Sequence, residues 1–164
     1  MTNQKISSTA RLVTLLIGIT FLVLGIAGFI PSLVTLPANA VSAGGPLGAE
    51  DIPLTAGTNY LDGFVRGFGY LFGFLPTNTL HNILHVVLGV VGLYSATGAH
   101  GTYNYNRFCA GFLPLIALLG LLPATNALFG VMPIYGNNIW VSAIAGALAV
   151  FATVTSEQPE TELA

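Results

Sequence analysis

Two histidines, His81 and His85, lie one helical turn apart in the otherwise apolar segment PTNTLHNILHVVLGVVGLYSA, residues 76–96. Side chains at positions i and i+4 share one face of a helix, so the two imidazoles could bind one metal ion, or each could bind a porphyrin-type cofactor. A zinc site takes three or four protein ligands, or three and a water molecule, and the nearest further candidates are the weak ligands Asn78 and Asn82. The alternative is structural, with both imidazoles hydrogen-bonded to neighbouring helices.

The small and polar residues of this segment share one side of the helix with the histidines. At 100° per residue they fall within an arc of about 100°, and leucine, isoleucine and valine fill the opposite side. The last apolar segment of the chain repeats this design. We therefore predict that the polar side chains form a structural face directed into a helical bundle, made of Asn78, Asn82, Asn138 and Ser142 together with the histidines.

The composition is that of a membrane protein. Of 164 residues, 54% are hydrophobic and only 6% are charged, and the mean hydropathy is +0.80. Soluble domains carry about 25% charged residues, so this chain lacks the polar surface that a water-soluble globule needs. A net charge of −2 argues against binding of nucleic acid, because phosphate neutralisation takes clustered cations.

Four apolar segments have the length of transmembrane helices, which need about 20 residues to cross the hydrocarbon core. The predicted spans are residues 12–30, 77–96, 107–123 and 137–154. A signal peptide is the alternative for the first span, but its apolar run exceeds the roughly 7–15 residues typical of signals. The sequence therefore predicts a single four-helix transmembrane domain over residues 1–154.

The cations predict how the helices are oriented. If the amino terminus is inside, Lys5, Arg11 and Arg107 are cytoplasmic and only Arg66 lies outside. Cytoplasmic ends of membrane helices are enriched in lysine and arginine, and an even number of spans returns the chain to its starting side. Both termini are therefore predicted to be cytoplasmic.

Two segments outside the spans have their own signals. Phe64, Phe68 and Phe72 recur every four residues, which predicts an interfacial helix over residues 61–74, before the second span. The acidic tail, residues 155–164, is predicted to be disordered because it has too little apolar surface to bury.

An internal repeat relates the two halves of the chain. Residues 71–96 align with residues 128–153 at a constant offset of 57, and Leu-Phe-Gly and a proline coincide without gaps. The first and third spans share a weaker ending in which Gly28 matches Gly120 and Pro31 matches Pro123. The pattern predicts an all-α bundle of two repeated helical hairpins, in which His81 corresponds to Asn138 and His85 to Ser142.

These motifs resemble the bacterial four-helix membrane protein family called domain of unknown function 4383, found in cyanobacteria and actinobacteria. The resemblance covers residues 11–154 and rests on the Leu-Phe-Gly-x-x-Pro approach, the H-N-x-x-H-x-x-x-G-x-x-G run at 81–92 and the second Leu-Phe-Gly…Pro-x-x-x-N-N-x-W element. It implies a multi-pass protein of the bacterial inner membrane, or of the thylakoid in a cyanobacterium. It assigns no activity.

The sequence contains no phosphate loop, nucleophile–base pair or carboxylate cluster, so we predict that the protein is not an enzyme and has no catalytic residues. The leading hypothesis is a structural or interaction component whose partners are the lipid bilayer and either further copies of the chain or a larger membrane complex. One alternative is a protein that binds a metal or porphyrin through His81 and His85. Another is a small transporter or proton conduit, because ionisable residues inside a membrane are functional candidates.

Overall fold

The computed structural model describes residues 7–35 and 69–156. These residues form four α-helices, named here α1 Ser8–Ala27, α2 Thr79–Ser95, α3 Ala99–Leu121 and α4 Asn137–Val154. A 3-10 turn, Pro31–Leu33, follows α1. Three short strands, β1 Val34–Thr35, β2 Gly69–Leu71 and β3 Leu75–Thr77, form an antiparallel sheet in the order β1-β2-β3. The protein is thus mostly helical, as predicted, with a small sheet that was not predicted.

The predicted interfacial helix over residues 61–74 is wrong over its second half, and residues 61–68 lie outside the described residues. Residues 69–71 are strand β2, and Phe72 and Gly73 have positive φ angles of 54° and 81°, which a right-handed helix does not allow. The backbone of this segment is satisfied by β1 and β3 and by the bond from the Phe72 N–H to the Leu33 carbonyl, 2.8 Å. Hydrogen bonds to distant residues therefore determine the backbone of this segment, and the four-residue spacing of the phenylalanines does not.

The helices associate as two close pairs. Helix α1 packs mainly against α2, and α3 packs mainly against α4. Glycines permit the close approach of α1 and α2, because a Cβ atom on Gly25 would lie 2.6 Å from the backbone nitrogen of Val86. In the other pair, a Cβ atom on Gly146 would lie 2.7 Å from the Pro114 ring. Small residues at helix contacts are the usual packing device of helices in bilayers.

Helix α3 is longer than the third predicted span, since it begins at Ala99 rather than at residue 107. Its additional turns bury Thr102, Tyr105 and Asn106 against the neighbouring helices. By length and composition, α1 and α4 are apolar enough to cross a membrane, and α2 is apolar but shorter, at 17 residues. The tail prediction is not tested beyond residue 156, where the described residues end.

Candidate functional site

The two histidines lie on the inner side of α2 and face each other. Their ring centroids are 4.1 Å apart, with 59° between the ring planes. His81 is 5% exposed, and His85 is half-buried and contacts the Phe21 ring of α1 at 4.8 Å between centroids. The Nδ1 atom of His81 is buried and has no hydrogen-bond partner among the described residues. The structure therefore brings the candidate metal ligands together and leaves one imidazole nitrogen unsatisfied.

Asn78 fixes the start of α2 and therefore the position of His81. Its side-chain oxygen accepts a hydrogen bond from the His81 backbone N–H at 2.8 Å, which is the N-cap interaction that asparagine favours. Its Nδ2 donates to the carbonyl of Val131 at 2.7 Å, so Asn78 also connects α2 to the loop before α4. Asn78 has no exposed surface.

Asn82 points towards the end of α1. Its side-chain oxygen accepts a hydrogen bond from the Thr77 hydroxyl of β3. Its amide group occupies the space next to Gly28, where a Cβ atom would collide with it. The position of Asn82 is therefore set by its hydrogen bond to β3 and by the lack of a side chain at Gly28, the residue that follows α1.

Asn138 joins the two halves of the chain from the start of α4. Its Nδ2 donates to the carbonyls of Pro76, at 2.6 Å, and Pro133, at 2.9 Å. Because only the NH₂ group of an amide can donate to two carbonyls, the orientation of this side chain is fixed and its Oδ1 is an acceptor. That Oδ1, and the hydroxyl of buried Ser142 one turn further along, make no hydrogen bond within the described part of the chain.

A cavity of about 20 Å³, measured as the space open to the centre of a water molecule, lies between these groups. All four helices contribute to its wall. Its polar lining is His81, His85, Asn138 and Ser142, and its apolar lining includes Phe21 and Leu113. Three of the polar residues are buried and His85 is half-buried. The structure thus assembles the histidines of α2 and the polar residues of α4 into one site.

The site fits a small occupant better than a large cofactor. The described residues contain no group of three or more His, Cys, Asp or Glu side chains placed to hold a metal ion, so an ion at the two imidazoles would need amide, hydroxyl or water ligands. A porphyrin needs a pocket on the scale of several hundred Å³, far beyond the cavity beside His81 and His85.

The Leu-Phe-Gly turns before α2 and α4 share positive φ angles at phenylalanine and glycine, but they differ at leucine, since Leu128 has a φ of 45° and Leu71 lies in strand β2. Phe72 and Gly73 have φ angles of 54° and 81°, and Phe129 and Gly130 have 59° and 84°. Glycine adopts positive φ freely, whereas phenylalanine there is uncommon and costly. The unusual conformation therefore recurs at positions that are 57 residues apart in the sequence.

A protein-family model described as Domain of unknown function (DUF4383) matches residues 11–155. The chain belongs to the DUF4383 family. The resemblance inferred from the sequence motifs is therefore confirmed. No curated protein and no solved structure matches the chain. The matched range contains every polar residue of the cavity, so the site is part of the DUF4383 domain itself.

A second polar cluster of the DUF4383 chain was missed by the sequence analysis. Asn106 donates from Nδ2 to the Thr14 hydroxyl at 2.9 Å and to the Ala10 carbonyl at 3.0 Å, and it joins α3 to α1. The Tyr105 hydroxyl donates to the Leu88 carbonyl of α2 at 2.9 Å. The sequence could have indicated this cluster, because small, polar and apolar residues recur at helical spacing and begin upstream of residue 107. They are Thr102, Asn106, Cys109, Leu113, Ala117 and Gly120.

A groove of about 450 Å³ lies on the outer surface of the DUF4383 chain between α3 and α4. Ala143 and Ala147 of α4 line it. The residues of α2 that align with them in the repeat are the larger Val86 and Val90. Its remaining lining is mostly large and apolar, and it includes Leu118 and Trp140, which are 60% and 66% exposed. The groove therefore offers space beside half-buried Ala143 for a larger side chain.

Proposed function

We propose that the DUF4383 chain is a multi-pass integral membrane protein whose four helices cross the bilayer, and that it acts as a structural or interaction component of the membrane. The observation that carries this proposal is the inverted distribution of polarity. Asparagine and threonine side chains are buried between the helices, whereas large apolar side chains are exposed around them, such as Leu121 at 62% and Val154 at 74%. Such a surface is unfavourable in water and favourable in lipid.

The use made of the buried polar groups supports a structural role. Asn78, Asn106 and Asn138 each donate hydrogen bonds to a different helix or loop. In a bilayer each interhelical hydrogen bond of this kind contributes about 0.6–2 kcal/mol. The amide NH₂ groups of these three asparagines, which a transporter could offer to a substrate, instead bond to neighbouring parts of the chain.

The arrangement of the helices supports two repeated hairpins, α1–α2 and α3–α4. Gly89 of α2 lies against Leu22 of α1, and its repeat partner Gly146 lies against Pro114 of α3. Leu22 and Pro114 are 92 residues apart, the same offset that relates Gly28 to Gly120. Equivalent contacts in the two pairs, together with the positive φ angles that the two Phe-Gly pairs share, are what a duplicated hairpin would produce.

The proposed topology places both termini in the cytoplasm, with Arg11 in the first turn of α1 and Arg107 in the cytoplasmic half of α3. We expect reporter fusions after residues 10, 98 and 156 to report the cytoplasm, and fusions near residues 50 and 126 to report the opposite side. A fusion to a known inner-membrane protein of established topology serves as the control. Fusions after residues 98 and 126 that report the same side would refute the second hairpin.

A structural or interaction role also predicts the content of the purified protein. In mild detergent we expect no visible absorption band and less than one metal ion per chain, and we expect a single homogeneous assembly by light scattering. A histidine-free variant carrying His81→Asn and His85→Asn provides the matched control for elemental analysis. A stoichiometric metal or a porphyrin band that is lost in this variant would replace the proposal with the cofactor-binding alternative.

A further inference from the structure

We propose that the cavity between the two helix pairs is a binding site for a single water molecule, which is hydrogen-bonded to His81, Asn138 and Ser142 and connects α2 to α4. The site adds to the direct contacts that hold the bundle together, because the His81 Nδ1 makes no hydrogen bond within the described residues. It lies inside the chain, where it contacts all four helices.

The size of the cavity matches one water molecule. A cavity needs about 10–15 Å³ of space for the centre of a water-sized probe to hold one, and this cavity has about 20 Å³. The volume is far below that of a pocket for a drug-sized ligand. The apolar part of the wall, which includes Phe21 and Leu113, closes the cavity towards α1 and α3.

Three polar groups around the cavity can serve a water molecule. The His81 Nδ1 is buried and has no partner among the described residues, the Asn138 Oδ1 is an acceptor because its Nδ2 donates to two carbonyls, and the hydroxyl of buried Ser142 can donate or accept. A buried water typically makes about three hydrogen bonds. Leaving a buried imidazole nitrogen unpaired is unfavourable, so an occupant that satisfies all three groups stabilises the fold.

The positions of the lining residues in the repeat alignment explain why both α2 and α4 contribute polar residues to the site. His81 aligns with Asn138 and His85 aligns with Ser142. The four polar residues of the cavity are therefore two equivalent pairs, one residue of each pair coming from α2 and the other from α4.

A metal ion is the competing occupant, and the chemistry of the wall disfavours it. Zinc takes three or four strong ligands, whereas the cavity offers two imidazoles, one amide and one hydroxyl. A dry cavity is the other alternative. Dry cavities in proteins are lined by apolar groups. Eight of the twelve residues around this cavity are apolar, but the buried His81 Nδ1 has no partner among the described residues, and a dry cavity would leave it unsatisfied.

The decisive measurement is an experimental structure of the full chain in lipid or detergent, at a resolution that shows ordered water, together with elemental analysis of the same sample. We expect one density peak within about 2.7–3.2 Å of the His81 Nδ1 and no stoichiometric metal. A peak at about 2.0–2.1 Å from an imidazole nitrogen, accompanied by a metal in the elemental analysis, would overturn the proposal, and so would an empty cavity.

Variants of Ser142 test the energetic role of the water. Ser142→Val fills the cavity and displaces the water, which leaves His81 unpaired, so we expect Tm to fall by about 3–8 °C. Ala143→Val adds the same side chain one residue further along α4, in the open groove, and is expected to change Tm by less than about 2 °C. Ser142→Ala keeps space for the water and is expected to lower Tm by about 1–3 °C while the density peak beside His81 remains.

The sign of the Ser142→Val effect separates a wet cavity from a dry one. Filling a dry cavity adds packing contacts and raises Tm, so a Ser142→Val protein as stable as the wild type, or more stable, would contradict the proposal. If Ser142→Val does not fold, the structure of Ser142→Ala decides, because loss of the peak from an intact cavity would also contradict it.

Discussion

Replacement of Gly89 by alanine is expected to destabilise the protein by about 1–3 kcal/mol, the scale of overpacking in a close-packed interior. A Cβ atom at this position would lie 2.5 Å from the backbone nitrogen of Leu22 and 2.6 Å from its Cα. Backbone atoms cannot move aside as the end of a side chain can, so α1 and α2 must separate. We expect Tm in mild detergent to fall by about 3–10 °C.

Gly111→Ala is the matched control for Gly89→Ala. Gly111 lies inside α3, is exposed, and has no atom within 4 Å of the position that a Cβ would occupy. Alanine is better than glycine in a helix by about 0.8–1 kcal/mol, so this variant is expected to be more stable than the wild type. The two substitutions are therefore predicted to act in opposite directions. Equal effects would mean that helix propensity, and not close approach of α1 and α2, governs stability.

The helices could be predicted from the sequence because their signals are local. The stripe of small and polar residues on α2 has a period of 3.6 residues. The four residues predicted to form the structural polar face, at positions 78, 82, 138 and 142, are all buried in the structure. The period also indicated which face of α2 carries His81. Local periodicity cannot show how far a helix extends into polar sequence, and α3 therefore began earlier than predicted, at Ala99.

The sheet and the cavity could not be predicted, because they depend on contacts between distant residues. Strands of two or three residues are too short to have a period, and the pairing of Thr35 with Tyr70 joins residues on either side of the longest connection in the chain. The volume beside His81 depends on how the side chains of all four helices fill the interior. The repeat alignment made His81 and Asn138 equivalent positions, but it did not show that they line one cavity.

Asn137 and Asn138 are adjacent residues whose side-chain amides both donate to the segment before α2, which includes the turn at Phe74 and strand β3. Asn137 donates from Nδ2 to the Phe74 carbonyl at 3.0 Å and is exposed. Asn138 is buried and donates to the Pro76 and Pro133 carbonyls. Water can replace the first interaction but not the second pair. We therefore expect Asn137→Ala to change stability by less than about 0.5 kcal/mol.

Asn138→Ala is expected to destabilise the protein by about 2–4 kcal/mol, because it leaves two buried carbonyls without a donor and breaks the connection between α4 and β3. Unfolding of both variants in detergent, monitored by helical circular dichroism, measures the difference. Asn138→Asp serves as the stricter control: a carboxylate has a similar shape but cannot donate to Pro76 and Pro133, and it is expected to be at least as destabilising as alanine at neutral pH. If Asn138→Ala is no more harmful than Asn137→Ala, the buried amide does not hold the two helix pairs together, and the structural role of this residue is refuted.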